Sequence, residues 1–251
     1  MGNPRASDET LTGRTVLVTG SGRGLGACIA KAAALRGARV VLNARRDGAA
    51  EATAAIQAAG GDALGVRADV SDYEQARVLV DGARRAFGRI DVVVNTVGSF
   101  LWKPIADMEP AEWRATFASN LDSTYNTCRL ALPSMREQHW GRIVNLGSVG
   151  AQNAVGQPEV AACSAAKAAV IAFSRSLALE EARRGITVNV VCPGAFLEGE
   201  STALSEKLAE RVPVGRAGLH ADVARAVLFF ASPAADFLTG QVLDVAGGWR
   251  P

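Results

Sequence analysis

The chain has 251 residues, of which 49% are hydrophobic and 21% charged, values ordinary for a globular protein with one large core. Lys and Arg number 27 against 25 Asp and Glu, a formal charge of +2, which leaves no basic field for a nucleic-acid partner. Cys28, Cys128, Cys163 and Cys192 and two histidines show no metal-ligand spacing, so no metal site is expected and a reducing, cytoplasmic setting is.

Residues 1–10 are polar and read as a flexible leader. No uninterrupted apolar run approaches the roughly 18 residues that cross a bilayer. Thr15 to Thr19 (TVLVT) reads as a buried strand, and the Ala-rich stretch from Leu25 to Arg36 as a helix ended by Gly37. Arg39 to Asn43 is the next strand, and Glu51 to Ala59 a helix that stops at Gly60-Gly61. A strand at ALGVR, a helix from Tyr73 to Phe87 and a strand from Asp91 to Asn95 continue the alternation. Long helices fit Trp113 to Gln138 and Ala161 to Arg184, and later strands fit Arg142 to Gly147, Thr187 to Cys192 and Gln241 to Val245. Short apolar strands separated by helices predict a doubly wound α/β domain of the Rossmann type, spanning 1–251, with a parallel sheet covered on both faces. The irregular stretch 194–219 reads as a lid over a substrate.

Strand 1 runs through Thr19-Gly20-Ser21-Gly22-Arg23-Gly24-Leu25-Gly26 directly into a helix. Glycines at 20, 24 and 26 allow a tight turn that brings backbone N–H groups close to a pyrophosphate, and the helix N-terminus adds partial positive charge. An Asp or Glu at the end of strand 2 is the mark of NAD(H) preference. Here Asn43-Ala44-Arg45-Arg46 stands instead. Guanidinium groups at Arg45, Arg46 and Arg23 suit a 2′-phosphate, so NADP(H) is expected over NAD(H).

The pattern T-G-x-x-x-G-x-G resembles the short-chain dehydrogenase/reductase family, and the resemblance runs from Leu11 to Trp249. It implies seven parallel strands in the order 3-2-1-4-5-6-7 and a homotetramer or dimer built on the two long central helices. Asp69-Val70 is similar to the family's adenine-side pair, and Asn95-Thr96-Val97-Gly98 keeps the first and last members of its N-N-A-G. Asn120, Ser148 and Lys167 match the active-site asparagine, serine and lysine, and Pro193-Gly194 the P-G after strand 6. Asp244 and Gly247-Gly248-Trp249 resemble the usual ending.

Two departures stand out. The family's Y-x-x-x-K is Cys163-x-x-x-Lys167 here. The spacing places both on one helical face. A thiol is acidic enough, with a reference pKa of about 8.5 against about 10 for tyrosine, but its sulfur stops short of where a phenol oxygen ends. The second departure is Glu198, where the family commonly has a threonine. Tyr73 and Tyr125 are the only tyrosines, and neither is placed to substitute. His139 and His220 read as surface or helix-flanking residues, Glu198 and Glu200 as a solvated acidic loop or as an acid near the substrate, and Glu159 has no assigned role.

Three readings follow. The first is an NADP(H)-dependent oxidoreductase acting on a carbonyl or alcohol, with Cys163 or a water moving the proton. The second is non-redox chemistry, as in a cyclase, isomerase or lyase, with Cys163 as an activated thiol. The third is a catalytically silent partner subunit. Phe100, Leu101, Trp102, Phe196 and Leu197 suggest an apolar or aromatic substrate wall.

Overall fold

Runs such as Thr15–Val18 (TVLV) and Val92–Asn95 (VVVN) are apolar on both sides of the pleat and bury every residue, as strands of a sheet covered on both faces do. The computed structural model describes residues 10–46, 48–196 and 209–250. Leu197, Glu198 and Glu200, most of the leader and part of the expected lid lie outside the described residues. Seven strands form one parallel sheet: β1 (Thr15–Val18), β2 (Arg39–Ala44), β3 (Ala63–Arg67), β4 (Val92–Asn95), β5 (Gly141–Leu146), β6 (Ile186–Pro193) and β7 (Val242–Val245). Their order is β3-β2-β1-β4-β5-β6-β7, as the resemblance implied. The order reverses at β1, which pairs with β2 on one side and β4 on the other.

Successive side chains alternate across the sheet. Val16 and Val18 of β1 join a core formed with α1 (Gly24–Leu35) and the helix His220–Ala231. Leu17 points the other way, into a core with α3 (Tyr73–Phe87), α5 (Ser123–Glu137) and α6 (Ala161–Glu181). Among the described residues, α2 (Gly48–Ala58) and α4 (Pro110–Phe117) are further helices, and His220–Ala231 is α7.

Two elements differ from expectation. The helix expected over Trp113 to Gln138 begins earlier, at Pro110, and is broken by a π-turn at Ala118–Asp122. The second is α7, a helix that directly follows the irregular stretch 194–219 and has no counterpart among the expected elements. With its continuation to Arg184, α6 is 24 residues long, enough by length and composition to cross a membrane. Buried Lys167, Ser174 and Glu181 and its packing on β6 identify it as a core helix.

At the amino ends of the strands, buried charge is densely partnered. Asp91 is fully buried and accepts from Arg14 at 3.0 Å, from Arg89 Nε at 3.0 Å and from the Thr15 N–H at 2.9 Å. Arg142, only 2% exposed, donates to the carbonyls of Gly141 (2.9 Å), Gly185 (3.2 Å) and Ser232 (3.3 Å). Trp140 lies between two guanidiniums, Arg14 at 3.9 Å and Arg142 at 4.3 Å from its ring centre. Burial lowers the Arg142 pKa to about 10.

Candidate active site

The glycine turn sits at the carboxyl end of β1, beside the order reversal where open α/β sheets bind ligands. Packing dictates Gly26: a Cβ there would overlap the Gly20 carbonyl oxygen and lie 2.9 Å from Ser21 Cα. The first turn of α1, which holds Gly24, Leu25 and Gly26, has no acidic residue, and its N-cap Arg23 makes no side-chain cap bond. The N–H groups of a first helical turn have no partner within the helix. A turn that only glycine can close, opening onto an uncapped helix start, fits a dinucleotide pyrophosphate.

The strand-2 end has a more structural use than its position suggested. Asn43 is buried and donates to the carbonyls of Val66 (3.2 Å) and Ala68 (3.0 Å). Its backbone N–H donates to Ser21 Oγ at 2.9 Å, and its Oδ1 accepts from the Gly20 N–H at 3.4 Å. Asn43 therefore ties β2 to the glycine turn and to the exit of β3. Arg45 and Arg46 are exposed, as is Arg23. Arg45 lies 3.6 Å from Asp69. Partial burial raises the Asp69 pKa, but bonds from Ser71 and the Arg45 charge outweigh it and hold the carboxyl below its ordinary value. The Asn126 amide donates to the carbonyls of Val70 (3.0 Å) and Ser71 (3.2 Å), so α5 fixes the loop that carries Asp69-Val70.

Beyond β4, Asn95 turns inward. It donates to Asn145 Oδ1 at 2.9 Å and accepts from Thr127 Oγ1 at 2.6 Å, so its side chain braces the sheet against α5. Gly98 is where the reactive end converges. A Cβ on it would overlap Asn120 Oδ1 and lie 3.2 Å from Lys167 Nζ. Asn120, fully buried in the π-turn, donates to the carbonyls of Ser99 (3.0 Å) and Thr116 (2.9 Å). Its Oδ1 has no partner among the described residues.

Lys167 Nζ donates to the Leu146 carbonyl at 2.7 Å, two residues before Ser148 at the exit of β5. Burial lowers its pKa, and the thiols of Cys163 and Cys192 act the other way. Cys163 lies one turn before it, in the first turn of α6. It is 3% exposed, and its sulfur has no hydrogen-bond partner among the described residues. Burial pushes the Cys163 thiol above its ordinary value, and Lys167 offsets this only in part. Cys192, at the end of β6 behind Gly147, is pushed to about 12 by burial and by Asp244. Pro193 ends β6, and the Gly194 N–H donates to Val245 at 3.0 Å, so this pair packs on the chain's last strand.

Phe100, Trp102 and Ile105 stand 58%, 62% and 59% exposed beyond β4. The rings of Phe100 and Trp102 are 5.3 Å apart. Glu159, unassigned from sequence, holds this wall. Its carboxylate accepts from the Trp102 indole at 2.8 Å and its carbonyl from the Lys103 N–H at 2.6 Å. It does so from the left-handed region, at φ 64°, a conformation without a local sequence signal in a glutamate. Phe196 stacks edge-on against His220, with ring centres 5.3 Å apart, at the start of α7. Tyr125 is exposed and meets Phe173 edge-on.

Comparison with known proteins agrees with this geometry. The family described as Enoyl-(Acyl carrier protein) reductase matches residues 20–250. A 3-oxoacyl-(acyl-carrier-protein) reductase of Haemophilus influenzae is 38% identical over 95% of this chain and 98% of its own. A 3beta-hydroxysteroid dehydrogenase of Eggerthella lenta is 38% identical over 96% of this chain and 95% of its own. The crystal structure of a gluconate 5-dehydrogenase from Burkholderia cenocepacia, in complex with NADP and tartrate, superposes with a TM-score of 0.89 at 33% identity, covering 96% of this chain and 97% of that one. Sheet order, glycine turn and near full-length identity together place the chain in the short-chain dehydrogenase/reductase family, as an oxidoreductase.

Proposed function

We propose that the chain interconverts a ketone and an alcohol with NADP(H), as a cytoplasmic homo-oligomer, on a substrate with an apolar body. The observation that carries the reading is the cluster at Gly98, where buried Asn120 and Lys167 meet beside the exit of β5 that bears Ser148. Arg45, Arg46 and Arg23 and the absence of an acid at Asn43 support the phosphorylated cofactor; the gluconate 5-dehydrogenase relative carries NADP. The exposed Phe100–Trp102 pair favours a bulky apolar carbonyl compound over a sugar acid. The names of the oxoacyl and hydroxysteroid relatives point the same way.

The reduced dinucleotide, when bound, supplies the hydride. Gly20, Gly24, Leu25 and Gly26 would hold its pyrophosphate, Asp69-Val70 the adenine side, and Lys167, Pro193 and Gly194 the nicotinamide half. Ser148 Oγ orients the substrate oxygen. Lys167 sets a positive field beside it, and Asn120 keeps the Gly98 loop in place through Ser99. A buried Cys163 with a raised thiol pKa weighs against the thiol-nucleophile reading.

Two measurements test this. NADPH should bind tighter than NADH by about tenfold or more, and Arg46→Glu should erase that ratio. A panel of 3-oxoacyl thioesters, 3-oxosteroids and sugar acids should give NADPH oxidation with the first two classes. Tight NADPH binding without turnover of any carbonyl compound would remove the oxidoreductase assignment of the substrate.

A further inference from the structure

We infer that Lys167, rather than Cys163, is the acid whose proton reaches the substrate oxygen. This rests on the oxidoreductase reading above and names the proton donor of that same site.

Reach is the first argument. Both residues project from one face of α6, one turn apart. A lysine carries its nitrogen four bonds beyond Cβ, whereas a cysteine carries its sulfur one. General acid transfer needs about 2.6–3.2 Å between heavy atoms, or one intervening water. The thiol lies 3% exposed and points at no hydrogen-bond partner among the described residues. The second argument is donor count. An ammonium has three N–H groups, and Leu146 is the only hydrogen-bond acceptor of Lys167 among the described residues. Nζ also lies 3.2 Å from the point where Gly98 has only hydrogen, so no side chain shields it from the Gly98 loop.

The surroundings also suit proton release. The titratable groups acting on Lys167 are Cys163 on its own helix and Cys192 on β6. On β5 it bonds the Leu146 carbonyl, and the neutral Asn120 amide of the π-turn reaches the same Gly98 position. No carboxylate pairs with it among the described residues. Burial therefore dominates and loosens the proton. The step balances. Hydride from the reduced nicotinamide forms the new C–H bond, and the carbonyl π pair moves onto oxygen. One N–H bond of Lys167 breaks, its pair stays on nitrogen, and the proton joins oxygen. The neutral amine regains a proton from solvent.

The test uses the full chain. Its lysines are Lys31, Lys103, Lys167 and Lys207, few enough for a carbon-13 lysine titration by NMR, assigned with Lys167→Arg. Lys167 should titrate below the others, and kcat for reduction should fall with rising pH at that same midpoint. Lys167→Arg keeps the charge but does not release its proton. It should lower kcat by about 10²–10⁴-fold and abolish the alkaline fall of kcat at the Lys167 midpoint. Cys163→Ala should stay within about threefold of the parent with an unchanged pH profile. A hundredfold loss on Cys163→Ala, or full kcat in Lys167→Arg, overturns the proposal. So does a Lys167 titration that coincides with that of exposed Lys31, a result read on the unaltered chain. If only Cys163→Tyr turns over, the oxidoreductase frame stands and the lysine role fails. If neither it nor the parent turns over any carbonyl compound, the functional reading itself fails.

Discussion

The two ends of the sheet treat buried charge in opposite ways. At the amino ends, Asp91 has two arginines and a backbone N–H, and Arg142 has three carbonyls and an aromatic face. At the carboxyl ends, Lys167 has one carbonyl, and Asn120 Oδ1 has no partner among the described residues. Buried polar groups are costly unless paired. A satisfied network strengthens the fold, and an unsatisfied one holds bonding capacity for something that arrives later. The difference holds for these named groups; single buried polar atoms without a partner also occur at the amino ends, Thr15 Oγ1 and Thr187 Oγ1 among them.

The largest expected effect lies at the satisfied end. Asp91→Ala removes the acceptor of three donors, one of them the buried Thr15 N–H. Chemical denaturation should show a loss of about 3 kcal/mol, with NADPH affinity unchanged in the folded fraction. A loss below about 1 kcal/mol would mean that the arginines are only surface pairs, and the contrast between the two ends would weaken.

Gly26→Ala comes next and belongs to the other end. Its Cβ would press on the backbone of Gly20 and Ser21, which cannot rotate away as a side chain can. A stability loss of about 2 kcal/mol is expected from the strain. The dinucleotide affinity should drop much further, because the same shift opens the turn that faces the pyrophosphate. Equal binding by this variant would show that the turn is not the anion cradle.

These two sites were not equally legible. The glycine turn was legible from its spacing between a strand and a helix, whereas Asn120, Ser148 and Lys167 were named only through the family resemblance. Sheet order came from the family resemblance and was found as expected. Other features depend on partners far along the chain. The π-turn arises where the Asn120 amide reaches Ser99 and Thr116, and helical periodicity runs straight through it. Asn43 and Asn95 occupy cofactor-side positions, yet their side chains are spent on Val66, Ala68, Thr127 and Asn145. Glu159 meets Trp102 across 57 residues. α7 did leave a local trace: Asp222 accepts from the Leu219 N–H at 2.9 Å, a capping arrangement ahead of Val223, Val227 and Leu228.

A smaller effect, of opposite sign, sharpens the comparison most. Lys167→Met deletes a buried charge that has one hydrogen bond and leaves the Leu146 carbonyl behind. Replacing an under-partnered buried ion by an apolar chain is often neutral or stabilising. The variant should therefore be as stable as the parent, or up to about 1 kcal/mol more stable, while losing turnover. A loss of about 3 kcal/mol, like that of Asp91→Ala, would show that Lys167 is a scaffold charge after all.

The pH dependence of that difference is the finest test, and its sign follows from linkage. The folded pKa of Lys167 lies below its ordinary 10.5. Well below the folded value the lysine is charged in both states, and the folded state bears the full burial penalty. As pH rises from the folded value towards 10.5, the folded chain sheds its proton first, so stability rises. The Cys163 thiol works against this, because its folded pKa lies above 9.0 and its contribution is lost as pH climbs through that range. A Cys163→Ala background removes the opposing trend. In that background, the unfolding free energy of the Lys167 protein minus that of Lys167→Met should be flat at neutral pH and climb in the alkaline window. Arg142 titrates alike in both proteins and cancels. A flat difference throughout would mean that Lys167 keeps its proton as firmly as a solvated lysine, and the carboxyl end would then hold no loosened proton to give.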